Sequence, residues 1–391
     1  MEGKKVLILA HKPPYPKMDG GCIAISQILE AFLDLKVTVS FLCFETQKHP
    51  SDQIKNQAQF QYKSIPINTE LSHWDAIKNI GTKSSYFLAR FKHSLFKNEL
   101  INTLQSNTFD LIIFESLFTS NYIDTVRKYS SAKIVYRSHN IEHKIWETQI
   151  RREKNVVRKA YLKFQIKRLK NEEIQFWNKV DHISSISEKD SAIIKQHCPV
   201  KTETLGLYCK PNKLVEKNSG NGTDFFHIGA MDWLPNQYGL AWLLENVWST
   251  FTAKQPSTKL HIAGRGMSKE LTNLKAVGVI NNGEVADATI FMNTHKIMLV
   301  PLFSGSGIRV KIMEGMALGK CIITTSLGAE GISITNKENI LIANTKEAFI
   351  AQMTFCYKQP LKASEIGAKA REFAKNNFSK EGVLQQLKNL F

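Results

Sequence analysis

The strongest constraint on this chain is a set of short, unbroken apolar runs that appears twice along its length. VLILA (6–10), VTVSFLCF (37–44), DLIIF (110–114), KIVY (133–136) and HISSIS (182–187) mark the first half. FFHI (225–228), LHIAG (260–264), IMLVP (297–301), CIITT (321–325) and ILIA (340–343) mark the second. The runs are continuous rather than alternating, which is the pattern of strands covered on both faces. Helical patterns lie between them, such as 22–34 after the Gly20–Gly21 turn and a segment near 236–252. Strands alternating with helices build parallel α/β sheets. The polar stretch KPNKLVEKNSGNGTD (210–224) parts the two series and reads as a linker. The chain's 391 residues also exceed what one core holds, since single cores stop growing near about 250–300 residues. Two similar α/β domains are expected.

Composition narrows the class of partner. A hydrophobic share of 43% is normal for a globular protein and excludes wholesale disorder. Lys and Arg number 52 against 35 Asp and Glu, a net charge of +17 that is spread over both halves with no basic tail. Such a balance favours anionic partners: nucleotides, diphosphates, nucleic acid or an acidic membrane. The six cysteines form no C-x-x-C and no Cys/His cluster with zinc spacing, and Cys22, Cys43 and Cys321 read as small core residues. A reducing compartment is expected. The opening apolar run is too short for a signal h-region of about 7–15 residues, and no stretch approaches the roughly 18 apolar residues of a membrane span. The expectation is a cytoplasmic chain, soluble or peripheral on the inner face of the cytoplasmic membrane.

Two segments add to the membrane reading. RREKNVVRKAYLKFQIKRLK (151–170) carries nine Lys/Arg and one Glu, with Val157, Tyr161, Phe164 and Arg168 near helical spacing. The region 83–97 interleaves Tyr86, Phe87, Phe91 and Leu95 with Lys83, Arg90, Lys92 and Lys97. A basic amphipathic helix can lie on an anionic bilayer; the plainer reading is a solvated charged face over a packed apolar stripe.

Several chemistries are disfavoured by what the motifs lack. The loop after the first strand, HKPPYPKMDGG, is not the G-x-G-x-x-G of a dinucleotide site. There is no Walker pattern, no G-x-S-x-G nucleophile elbow, and no D-x-D to chelate a metal-bound diphosphate. The informative segment is PLFSGSGIRVKIMEGMALGKCIITTSLGAEG (301–331): strand end, glycine turn, helix, glycine stop, strand, second glycine loop. Its turn, Gly305–Ser306–Gly307 followed by Ile308, sets backbone amides at a helix start, a ready anion site. Arg309 and Lys311 place positive charge in the first turn, against the helix dipole, and a local rule broken beside a glycine turn points to function. Lys311 and Glu314 are i, i+3 neighbours, so a simple surface pair is the competing reading.

With these residues in view, the chain resembles retaining glycosyltransferase family 4, over nearly its whole length. The carriers are Glu314, Gly315, Ala317, Gly319 and Lys320 in the late helix, GAMDWLPNQYGLAWLLENVW (229–248), YRSHNIEH (136–143) and the Gly20–Gly21 loop. The resemblance implies an α/β GT-B fold, two facing Rossmann-like domains with parallel sheets and an interdomain cleft. It places an acceptor-side domain at 1–205, joined by a C-terminal helix within 376–391, and a nucleotide-sugar domain at 206–375. Glu314 matches the second glutamate of the family's E-x(7)-E pattern, which binds the donor ribose. Ser306 stands where the first glutamate would be, so sugar contacts fall to the amides of 305–308. The loop at Gly229 lacks the Arg and Lys that the family often carries there, leaving Arg309, Lys311 and Arg265 to meet the diphosphate. His139 matches the His of the N-domain active-site loop, with Asp19 beside the Gly20–Gly21 turn, and Trp233 and Trp242 read as packing residues.

The reaction implied is hexosyl transfer from a nucleotide-diphosphate sugar to a glycan or lipid-linked hydroxyl, in surface polysaccharide or lipid-linked glycan assembly. With no D-x-D, no cofactor and no metal are expected, and the charge on the departing diphosphate falls to Arg309, Lys311 and the helix start. Two alternatives stay open: an epimerase or phosphorylase of the same fold, and a basic nucleic-acid-binding protein. For the last no binding module is visible, so nucleic acid is not expected as a partner.

Overall fold

The computed structural model describes residues 1–51, 59–70, 72–209, 224–268, 271, 276–305 and 307–391. The chain separates into two compact units: Met1–Leu207 with Lys380–Phe391, and Tyr208–Ser379. The expected linker, 210–224, lies outside the described residues except for Asp224.

Unit 1 holds seven strands: β1 (Lys5–Ala10), β2 (Thr38–Glu45), β3 (Gln61–Pro66), β4 (Leu111–Glu115), β5 (Lys133–Ser138), β6 (His182–Ser185) and β7 (Thr202–Thr204). They form one sheet in the order β3-β2-β1-β4-β5-β6-β7, and every pairing is parallel. β1 and β4 are buried along almost their whole length, as their unbroken apolar runs require. The core gathers Leu7, Leu42, Phe44, Ile112, Phe114 and Tyr136 with Phe96, Leu169, Phe176 and Trp177 from the covering helices. The C-terminal segment belongs to this unit. Val383, Leu387 and Leu390 are buried, Lys380 pairs with Asp34 at the end of helix Gly20–Asp34, and Phe391 meets Phe32 edge-on.

Unit 2 repeats the plan with β8 (Phe225–Ile228), β9 (Leu260–Ala263), β10 (Val279–Gly283), β11 (Ile297–Val300), β12 (Cys321–Thr324) and β13 (Leu341–Ile342). The order is β10-β9-β8-β11-β12-β13, again wholly parallel. Its core is separate, built on Phe225, Leu260, Leu299 and Ile323 with Leu240, Trp248, Phe251 and Phe349. In each unit the strand order reverses beside the first strand, between β1 and β4 and between β8 and β11. Open α/β sheets bind ligands at the carboxyl ends of strands that flank such a reversal.

The basic helix runs Val156–Trp177, but its buried face is Gln165, Ile166, Leu169, Glu173, Phe176 and Trp177. The stripe expected from Val157, Tyr161, Phe164 and Arg168 is therefore displaced: Val157 and Phe164 face solvent. The first turns of this helix project past the core, so their apolar residues have no sheet to cover. Tyr86, Phe87 and Phe91 are buried, whereas Leu95 is exposed.

Candidate functional site

In unit 2 the chain ends β8 at Ile228 and turns at Gly229 into helix Leu234–Trp242. It ends β11 at Val300 and passes through the glycine loop to helix Val310–Ala317. Arg309 is the cap residue before that helix rather than part of its first turn, and it is 5% exposed rather than mobile. Its guanidinium donates to the Gly307 carbonyl and stands 5.6 Å from the ring centre of Trp233, against which the loop packs. Gly305 has φ +103, and a Cβ there would stand 2.8 Å from the Trp233 ring. Only glycine fits both the backbone and the indole. Gly307 also has positive φ, and Ile308 is half-buried before Arg309. Ser306 lies outside the described residues.

The Lys311 side chain reaches back to the end of β8. Its ammonium donates to the Ile228 carbonyl at 3.0 Å and to Asn236 Oδ1 at 2.9 Å. A Cβ on Gly229 would come within 2.9 Å of that Nζ. Lys311 thus stands at the loop after the unit's first strand, where the resemblance found a base missing. Asn236 is held by donating to the Ala230 carbonyl at 2.8 Å. Burial, reinforced by the Arg309 charge, brings the Lys311 pKa down to about 7. Burial also lowers Arg309 to about 10, with the Glu330 carboxylate acting the other way. The same lysine helps to keep His227 neutral: burial first and Lys311 second push its pKa to about 3, while its Nδ1 donates to the Leu299 carbonyl at 2.8 Å. Glu314 is half-buried on the same helix, close enough to add its field to burial in raising the Cys209 thiol to about 12. Arg265 lies across from Asp232, 3.4 Å from its carboxylate, which offsets part of its charge. The structure therefore gathers Gly229, Lys311, Asn236, Trp233, Arg309 and the glycine loop into one cationic corner beside β8.

Unit 1 carries a second polar cluster, at the carboxyl ends of β1, β4 and β5. His139 follows β5 and donates from Nε2 to Glu115 at 2.5 Å. Glu115 is fully buried at the end of β4 and takes the Arg137 guanidinium at 3.2 Å; Arg137 also donates to the Ala24 carbonyl at 3.1 Å. Burial alone would raise the Glu115 pKa, but Arg137 and His139 together hold it below the usual carboxylate range. Burial lowers His139 despite its hydrogen bond to Glu115. An ionised Glu115 can only accept, so the neutral His139 carries its proton on Nε2 and keeps the lone pair on Nδ1. Nδ1 is then the acceptor nitrogen of the ring.

Gly20 opens helix Gly20–Asp34, and Asp19 caps it by accepting from Cys22 N at 2.9 Å. Asp19 also takes the Lys12 ammonium at 2.7 Å and His49 Nε2 at 2.9 Å. Gly21 lies against the Lys12 side chain, whose Nζ would stand 2.6 Å from a Cβ there. Among the described residues, Asp19, Cys22 and His49 are the group with metal-binding chemistry in range of one another. Lys12 already neutralises the carboxylate there, and burial raises the Cys22 thiol to about 11. Sequence reasoning missed Glu115, Arg137, Lys12 and Asn236. Their signal is position: Lys12 and Glu115 sit at or just past the ends of the two strands flanking the reversal, Arg137 near the end of the neighbouring β5, and Asn236 in the first turn of the helix after β8.

Comparison with known proteins places this arrangement. Residues 222–359 match the family model described as glycosyl transferases group 1. The fold is that of GT-B glycosyltransferases. Over 403 residues the chain is 22% identical to an uncharacterized 44.6 kDa protein in the cps region of Klebsiella pneumoniae, covering 98% of each chain. Its fold is similar to that of sucrose-phosphate synthase from Thermosynechococcus elongatus, with TM-score 0.70, 14% identity, and 99% and 98% of the two chains covered. It is also similar to Anabaena HepE in complex with UDP-glucose, with TM-score 0.65, 13% identity and 98% of both chains covered. The group 1 match spans β8 to helix Lys346–Lys358, so it contains the whole cationic corner of unit 2.

Proposed function

We propose that the chain is a retaining, family-4-type glycosyltransferase that moves a hexosyl group from a nucleoside diphosphate sugar to a hydroxyl of a glycan or lipid-linked acceptor. The observation that carries this reading is Lys311, which brings a half-buried ammonium to the end of β8 beside Gly229. Charge at the carboxyl end of the first strand, beside a strand reversal, is what a diphosphate requires there. The similarity to a protein of a cps region and to HepE with UDP-glucose supports surface polysaccharide assembly with a nucleotide-sugar donor.

In the proposed step the bond from the anomeric carbon to the β-phosphate oxygen breaks. The acceptor oxygen bonds the same carbon on the same face, and its proton passes to the departing diphosphate. Negative charge grows on that leaving group. In this scheme Lys311, Arg309 and the amides of the glycine loop meet that charge, which would be preorganised electrostatic stabilisation. Glu314 accepts from the ribose hydroxyls, and His139 Nδ1 accepts from a sugar or acceptor hydroxyl. No metal takes part in this scheme, so EDTA leaves turnover unchanged.

Thermal-shift screening against UDP-, GDP-, ADP- and dTDP-linked sugars tests the reading. A ligand at 100 times its dissociation constant adds about 2.7 kcal/mol of stability. Glu314→Gln then weakens the selected donor by roughly 10–150-fold in calorimetry, the scale of a charged hydrogen bond. Unchanged affinity would return Glu314 to a helix-surface role, and EDTA-sensitive turnover restored by magnesium would overturn the metal-free step.

A further inference from the structure

Unit 1 carries an apolar face that its core does not use. Helix His73–Ile80 shows Trp74, Ile77 and Ile80 to solvent along one side, with Trp74 75% exposed. It lies along the start of helix Val156–Trp177. Tyr161 donates to the Ala76 carbonyl at 3.3 Å, Gln165 to Asn79 Oδ1 at 3.0 Å, and Arg168 to the Ile80 carbonyl at 2.9 Å. These bonds run in step along both helices, so the Trp74 end lies alongside Val156 and Val157. Those two valines are 79% and 80% exposed, and Phe164, also exposed, lies under the Arg168 guanidinium at 4.0 Å. Six large apolar side chains thus share one exposed region built by two helices. Around them stand the exposed Lys78, Lys163 and Lys167, together with Arg158, which pairs with Glu153 at 3.2 Å, and the acid Asp75.

We propose that this face docks on an anionic lipid bilayer. The combination decides the occupant. A tryptophan and branched aliphatics fit the boundary between headgroups and acyl chains, and lysines beside them meet anionic headgroups. A protein partner of matching apolar chemistry would not need the cation surround. The face rests on its own residues; the proposed transfer to a lipid-linked acceptor gives it a purpose but no support.

Flotation of the full chain with vesicles tests this, using phosphatidylcholine alone and phosphatidylcholine mixed with phosphatidylglycerol. The chain floats with the anionic vesicles. Binding falls as salt rises, because the screening length shrinks from about 10 Å at 0.1 M to about 3 Å at 1 M. Lys163→Gln and Lys167→Gln each lower partition by about fivefold. Trp74→Ser combined with Val157→Ser abolishes flotation while the melting temperature and donor affinity stay unchanged, since both positions are exposed and lie outside unit 2. Equal partition onto neutral and anionic vesicles, or full binding by the Trp74→Ser, Val157→Ser variant, overturns the proposal. So does a stable dimer in sedimentation that this variant dissociates, which would assign the face to a second copy. Donor binding is read separately, so failure here leaves the proposed transfer standing, and the reverse also holds.

Discussion

Lys311 accepts a cost that a surface lysine avoids. Its ammonium is satisfied by two oxygens but sits among buried groups beside Arg309, so it begins to lose its proton near pH 7. A bound diphosphate supplies the opposite charge and restores the proton. Donor binding should therefore take up a proton above about pH 7, and affinity should fall as pH rises through that value. Below it, Lys311 is charged with or without ligand, and affinity should be flat on this account. Calorimetry in buffers of different ionisation enthalpy reads the uptake directly; a pH-independent affinity between 6 and about 9 would separate Lys311 from the diphosphate. Glu115 gives a second residue-level prediction. Glu115→Gln leaves Arg137 buried without its counter-charge, so it should cost about 3–5 kcal/mol in urea unfolding. It should also reduce turnover through loss of the ionised acceptor that fixes the His139 tautomer. The sequence announced Arg309, Lys311, Glu314 and His139 because they sit in motif-like segments. It hid Glu115 and Lys12, because a single charge at a strand end looks the same whether it faces water or a buried arginine.

At the level of elements, the apolar runs located every interior strand, and the three they missed are β3, β7 and β10. Each lies at a sheet edge. An edge strand is paired on one side only and buries little, so QYKSIP, TET and VINNG carry no unbroken apolar run. The helices' faces were less legible than their existence. Helix Val156–Trp177 follows its packing partners, and a helix start that overhangs the core escapes the periodicity rule. Close approach of two elements was likewise invisible in the sequence. Gly239, in the helix after β8, has no room for a side chain: a Cβ would stand 1.9 Å from the Pro301 carbonyl that follows β11. That contact sets the spacing between the two strand ends that frame Lys311. Gly239→Ala should cost about 1–3 kcal/mol or more by denaturant titration. It should also weaken donor binding, because the helix carries Asn236 and follows Trp233. Full stability in this variant would mean the helix can slide without penalty.

For the molecule as a whole, two separate hydrophobic cores predict more than one cooperative transition. A nucleotide sugar should raise the transition of unit 2, the unit that carries the cationic corner. Removing 380–391 should lower only the transition of unit 1, since that segment buries Val383, Leu387 and Leu390 there. Differential scanning calorimetry with and without nucleotide checks both; a single transition shifted equally by either change would refute this division.

The return of the last helix also reaches into how the protein is made. During translation, β1 to β7 leave the ribosome long before the residues that cover helix Gly20–Asp34 exist. At roughly 5–20 residues per second, synthesis of unit 2 imposes a wait of roughly 10–30 s. Through that interval Phe32 lacks the Phe391 ring and Asp34 lacks Lys380. Unit 1 thus emerges before unit 2 but is finished after it, and a ribosome that stalls between the two events releases a chain whose unit 2 is whole and whose unit 1 stays open to proteases.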